Sequence, residues 1–112
     1  MIKRSMHEAT FLILTALAGG SRHGYAIISD VEQISDGRVR LRAGTLYAAL
    51  DRLRADGLVE IDREVIVANR LRRYYRLTST GTEQLAEEAT RLHANARAAK
   101  ARLALDGGMA TT

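Results

Sequence analysis

Between Gly44 and Gly81 the hydrophobic period changes once, and that change restricts the folds open to the chain. Leu46, Leu50 and Leu53 recur at i, i+4 and i+7, which lines one face of an α-helix. Gly57 then supplies a stop, because glycine takes the left-handed backbone of a helix end without a Cβ penalty. Residues 58–64 and 71–78 follow with period two, β-branched and aromatic side chains, and a tip near Ala68 and Asn69. This pattern predicts a third helix over about 45–55 followed directly by an antiparallel hairpin.

The flanking segments predict more helix. Ser5 and Glu8 have capping-box spacing ahead of Ala9, Leu12, Ile13, Ala16 and Leu17, and Gly19-Gly20 end that helix. Ser21 is the expected cap of a second helix running to about Ser35, with Ile27, Ile28, Val31 and Ile34 on one broad face and Asp36-Gly37 as its end. Residues 38–42 alternate strictly, as a short strand or an extended connection would. A last helix opens near residues 78–81 and is expected to end at Gly107-Gly108. Within it Leu85, Ala89, Leu92, Ala96, Ala99 and Leu103 are spaced 4, 3, 4, 3, 4, an a/d seam that a symmetry-related copy would cover. The predicted class is mainly α with a small β-hairpin: a winged helix-turn-helix plus a long C-terminal dimerisation helix. Its expected units are residues 1–78 (winged helix-turn-helix), 79–107 (dimerisation helix) and 108–112 (disordered tail).

Composition narrows the function. With no cysteine there is no disulfide framework, Cys-based zinc site or thiol catalysis. The apolar run 11–18 is too short to span a membrane, and the charged start lacks the shape of a secretory signal, so a cytoplasmic protein without membrane association is expected. The three histidines are too scattered to define a metal centre, although His7 and His93 can meet if the first and last helices pack together. No nucleophile–base pair, carboxylate pair or phosphate loop stands out, so neither an enzyme nor a cofactor is expected.

Charge points the other way. The chain carries +4 overall, yet residues 38–76 carry +5 and the rest −1. Clustered cations suit a duplex phosphate backbone, since each neutralised phosphate releases condensed counterions. A short helix ahead of a basic two-stranded ribbon is the geometry in which a helix enters the major groove and the ribbon lies along the backbone or minor groove. Double-stranded DNA is therefore the expected partner. With Leu46, Leu50 and Leu53 inward, Thr45, Ala48, Ala49 and Arg52 are expected outward and Tyr47 at the border. Arg52 either forks onto guanine or pairs with Asp51 or Asp56, and Ala48 suits a thymine methyl. Tyr47 either meets DNA or braces the hairpin. Arg70, Arg72 and Arg73 are phosphate or minor-groove candidates, and the Tyr75/Leu77 face is expected against the helices. Among Arg38, Arg40 and Arg42, one or two are expected on the backbone, with Arg40 and Arg42 the candidates kept. His23 and Tyr25 are placed for phosphates at the start of the second helix. The competing class is a winged helix used as a protein-interaction or assembly module without specific DNA binding.

These residues also carry a resemblance. The runs at 23–27 (HGYAI), 44–50 (GTLYAAL), 52–53 (RL), 56–59 (DGLV) and 73–78 (RYYRLT) resemble, in order and spacing, the PadR family of bacterial transcriptional regulators. The resemblance covers about residues 8–85. It implies a winged helix-turn-helix, a homodimer built through the C-terminal helix, and repression at palindromic operators. The short C-terminal region looks like the subfamily with a single dimerisation helix. A small aromatic effector is also implied, bound near the dimer interface against Met6, Thr10, Phe11, Leu92 and Ala96. Two departures stand out: Ala43 and Ala48 occupy places where members usually carry proline, and residues 64–69 replace a glycine-rich wing tip.

Overall fold

The computed structural model describes residues 6–110. Helices α1 (Glu8–Ala18), α2 (Gly24–Ile34) and α3 (Ala43–Ala55) pack round one core, strands β1 (Arg22–His23), β2 (Val59–Val67) and β3 (Arg70–Leu77) form a small sheet, and α4 (Ser79–Ala110) leaves it. The sheet is antiparallel in the order β1-β3-β2. Leu12, Ile13, Leu14 and Leu17 of α1, Ile27 and Val31 of α2, and Leu46, Leu50 and Leu53 of α3 meet Leu58, Val59 and Tyr75 in that core. Tyr75 is fully buried and Leu77 packs beside it, as alternation predicts for that face of the hairpin.

Two helix ends turn the chain by the same device. After α3 the Leu58 amide donates to Leu53 O (2.9 Å) and Gly57 to Arg54 O (3.0 Å), with Gly57 at φ +76°. This pair of bonds satisfies the last carbonyls and aims β2 back along the helix. After α2, Gly37 donates to Glu32 O and Asp36 to Gln33 O, with Asp36 itself left-handed.

The hairpin arms are longer than expected, and they close through Ala68 and Asn69, both at positive φ (52° and 63°). A two-residue turn of that hand matches the strand twist, so the register is fixed even without glycine. Opposite Tyr74 and Tyr75, a bulge at Asp62 shifts the β2 register by one residue.

Several local expectations are corrected. Ser5 lies outside the described residues; the N-cap of α1 is His7, without a side-chain cap, and Glu8 pairs with Arg38 (3.4 Å). Ser21 does not cap α2, because its hydroxyl donates to Asp62 (2.7 Å) and the chain first runs as β1 beside β3. The cap is His23, whose Nδ1 accepts from the Ala26 amide (3.4 Å). Residues 38–42 form an unpaired connection, anchored where Val39 N donates to Ser35 Oγ, and α3 begins at Ala43 rather than at residue 45. Ala49, expected outward, is buried with the leucines of α3.

Helix α4 also departs from expectation. It continues through Gly107 and Gly108 to Ala110, so residues 108–110 of the expected tail are helical and residues 111–112 lie outside the described region. Its first turns are tied to the domain by buried Gly81, by Leu85 and by Glu88, which is 6% exposed and accepts the Met6 amide. From Ala89 to Leu105 every side chain is exposed. The projecting helix stretches the molecule to 66 × 34 × 21 Å. No described helix is long and apolar enough to cross a membrane.

Candidate nucleic-acid interface

The crest of α3 is small. Opposite its buried leucines the helix shows Gly44, Ala48, Asp51 and Ala55, all without bulk except the aspartate. Tyr47 and Arg54 rise on one flank, and Thr45 and Arg52 on the other. Arg52 pairs with neither Asp51 nor Asp56, and no described carboxylate is within ion-pair range of it. The sequence merged these flanks into a single reading face, and the structure separates them. Thr45, Ala48 and Arg52 line a groove of about 450 Å³ shared with Thr10 and Ile13 of α1 and with its N-cap His7. Tyr47 instead turns toward the hairpin.

On that second side a cleft of about 360 Å³ brings six of the predicted residues together: His23, Tyr25, Tyr47, Arg70, Arg72 and Arg73. Tyr47 lies across the start of α2, where a Cβ on Gly24 would overlap its phenol ring; glycine is what admits the tyrosine there. Tyr47 thus rests on the start of α2 beside the hairpin cleft, and it stays 42% exposed. Burial, and after it Tyr75 and Tyr25, push its phenol pKa up, so the hydroxyl keeps its proton and can donate. Tyr25 stands exposed at the first turn of α2.

His23 is held by three contacts: β1–β3 pairing opposite Tyr74, the Ala26 amide on Nδ1, and an edge-on packing against the Tyr74 ring at 5.5 Å. Burial, and then the Arg72 charge, lower its pKa, which favours the neutral ring. Since Nδ1 accepts, the neutral ring carries its proton on Nε2, which leaves that nitrogen as a donor.

The arginines of the wing divide by their partners. Glu64 opposes Arg73 in register and binds its Nε at 2.6 Å. Arg76 is held by Glu60 and Asp62 at 2.8 Å each, and Arg63 by Asp62 at 2.9 Å while lying over the Tyr74 ring. Exposed pairs of this kind add little stability. They do decide which cations are free. Arg70 and Arg72 form no ion pair with any described residue, nor does Arg42 at the head of α3. Arg40 is paired at long range with Glu32 (3.8 Å). Arg54 is also unpaired and shares the Tyr47 flank; its seven-residue spacing from Tyr47 was the signal sequence reasoning passed over.

The implied effector residues are not gathered into one pocket here. Met6 and Phe11 pack against the core, Thr10 lines the α1–α3 groove, and Leu92 and Ala96 lie exposed on α4.

A buried three-helix core, a helix with a small crest and a two-stranded arm bearing unpaired arginines define the winged helix-turn-helix class. Residues 13–87 match the transcriptional regulator PadR-like family, so the chain belongs to that family of transcriptional regulators. An uncharacterized 37.1 kDa protein in a Streptomyces fradiae transposon is 43% identical over 83 residues, 74% of this chain and 22% of that one. The transcriptional regulator Rv3488 of Mycobacterium tuberculosis is 39% identical over 77 residues, 69% of this chain and 58% of that one. The match thus spans under two thirds of either relative. A PadR family transcription regulator of Clostridium difficile superposes with a TM-score of 0.70 at 23% identity, covering 87% of this chain and 99% of that one. Bacillus subtilis PadR, in complex with operator DNA, superposes with a TM-score of 0.64 at 23% identity, covering 72% and 46%. At such identity the two structures bear on the fold alone.

Proposed function

We propose that this chain is a sequence-specific, dimeric repressor that occludes a promoter by binding a pseudo-palindromic operator. The observation that carries the reading is the selective freedom of charge: Arg70, Arg72 and Arg42 have no ion-pair partner among the described residues, while neighbouring arginines of the wing are neutralised by carboxylates. In this reading α3 enters the major groove crest first. Arg52 forks onto guanine, Ala48 meets a thymine methyl, Thr45 takes a phosphate or base edge, and Tyr47, His23 and Tyr25 donate to phosphates between helix and wing. Residues 79–107 serve as the dimerisation helix, because the stripe Ala89, Leu92, Ala96, Ala99 and Leu103 is exposed, with no cover among the described residues. A two-fold pair sets half-sites about one helical turn apart, roughly 10 base pairs. A small aromatic inducer held near Met6, Thr10, Phe11, Leu92 and Ala96 of the dimer would release DNA by favouring a different separation of the two α3 helices.

Selection from a random duplex library tests this directly. A palindromic motif is expected, and binding without a motif, or no binding, would reject sequence-specific repression. Two variants refine it. Arg72→Ala is expected to lower affinity about fivefold at 0.15 M salt and to make the log–log salt slope shallower by about 0.9, as loss of one phosphate contact requires. Arg52→Ala is expected to relax preference at one base pair per half-site by about 1–3 kcal/mol. Repeating the selection with this variant checks it, and an unchanged motif would remove Arg52 from direct readout.

A further inference from the structure

The far end of the wing carries apolar surface that the domain does not use. Along the core-facing side of the hairpin, Val59–Leu77 and Ile61–Tyr75 pack on the helices, the Glu64–Arg73 ion pair follows, and the final pair is Ile66–Leu71. That last pair lies beyond the core, with Ile66 76% and Leu71 59% exposed; Val67, on the opposite face of the hairpin, is 42% exposed. Held opposite each other across the strands, the two side chains form one contiguous apolar tip. The turn beyond them is narrow, made only of Ala68 and Asn69. Arg70 and Arg72, neither of them ion-paired among the described residues, adjoin Leu71 along the strand and project from the opposite face of the hairpin.

We propose that Ile66 and Leu71 are an apolar wedge that the wing seats in the minor groove, where it reads how readily the flanking base steps open. The proposal rests on the DNA-binding reading above. Charge selects the occupant: a thin arm with an apolar pair on one face and two free guanidinium groups on the other fits a polyanion groove, whose floor offers base edges and whose two walls offer phosphates. Apolar side chains at a minor-groove step unstack it partially, and pyrimidine–purine steps yield to this more easily than stiff A-tracts. Ile66 and Leu71 would thus add specificity outside the bases that α3 touches.

The test compares wild type with Ile66→Thr/Leu71→Thr, which keeps strand-favouring residues at two exposed positions. Equilibrium affinity is measured across a salt series on the library-selected duplex, with either a TA step or an A-tract under the wing. Wild type is expected to prefer the TA flank. The double variant is expected to lose that preference and about tenfold in affinity, as removal of buried aliphatic contact predicts, with the salt slope unchanged because no phosphate contact goes. Its thermal midpoint and sedimentation are expected to match wild type. Equal affinity of variant and wild type on both flanks would overturn the wedge, as would a shallower salt slope. A change in sedimentation with DNA affinity intact would assign the tip to contact between copies and also overturn it. Failure of wild type to bind any duplex would instead sink the DNA-binding reading, and the wedge with it.

Discussion

Gly81→Ala is expected to destabilise the fold by about 3 kcal/mol, the upper part of the range for forced overpacking. For a domain of this size that is a fall of roughly 10–20 °C in thermal midpoint. The sign is the informative part. Gly81 lies inside α4, where alanine ordinarily stabilises a helix by about 1 kcal/mol. Here a Cβ would overlap the carbonyl of Leu58, which is backbone and cannot swing away. The same carbonyl accepts the Thr78 amide (3.1 Å), and Thr78 Oγ1 donates to Gly57 O (2.6 Å) and accepts from Gly81 N (3.0 Å). The start of α4 is therefore bolted to the turn between α3 and β2, and relief of the clash requires breaking that bolt. Urea unfolding reads the change, and an alanine variant as stable as wild type would show that the two segments do not approach so closely.

Leu92→Glu carries the second large effect. On the proposed dimer it sets a carboxylate from each copy into an apolar seam. Sedimentation is expected to show a monomer, and affinity for a two-half-site operator to fall by at least about a hundredfold as the linked second contact is lost. Binding to an isolated half-site is expected to persist, because Leu92 lies beyond the part of α4 that touches the domain. An intact dimer would move the interface elsewhere.

What the sequence made legible was whatever repeats along the chain. Leu46, Leu50 and Leu53 predicted the inner face of α3, alternation predicted the inward Tyr75, and the tip at Ala68-Asn69 was found without a glycine. Features made by contact between distant segments were not legible. Strand β1 is two residues long, too short to alternate, and exists because β3 offers an edge; that strand takes Ser21 away from the role of helix cap. The division of α3 into two flanks depends on α1 and the wing standing on either side of it, which no periodicity within α3 reveals. Arg73 looked as free as Arg72 in the sequence. Register decides otherwise, by placing Glu64 directly across the hairpin from it. Gly107-Gly108 was read as a stop because a glycine pair usually ends a helix, yet α4 runs through it.

The most direct test of the central claim is the affinity of the intact protein for duplex DNA measured from low to high salt. If the unpaired arginines of α3 and the wing neutralise phosphates, log affinity falls linearly with log salt, with a slope near −0.9 for each phosphate met. The Arg70→Ala/Arg72→Ala variant then gives a line shallower by about 1.8. A flat line, or one that the double variant leaves unchanged, would contradict the claim that these residues form a DNA-binding surface.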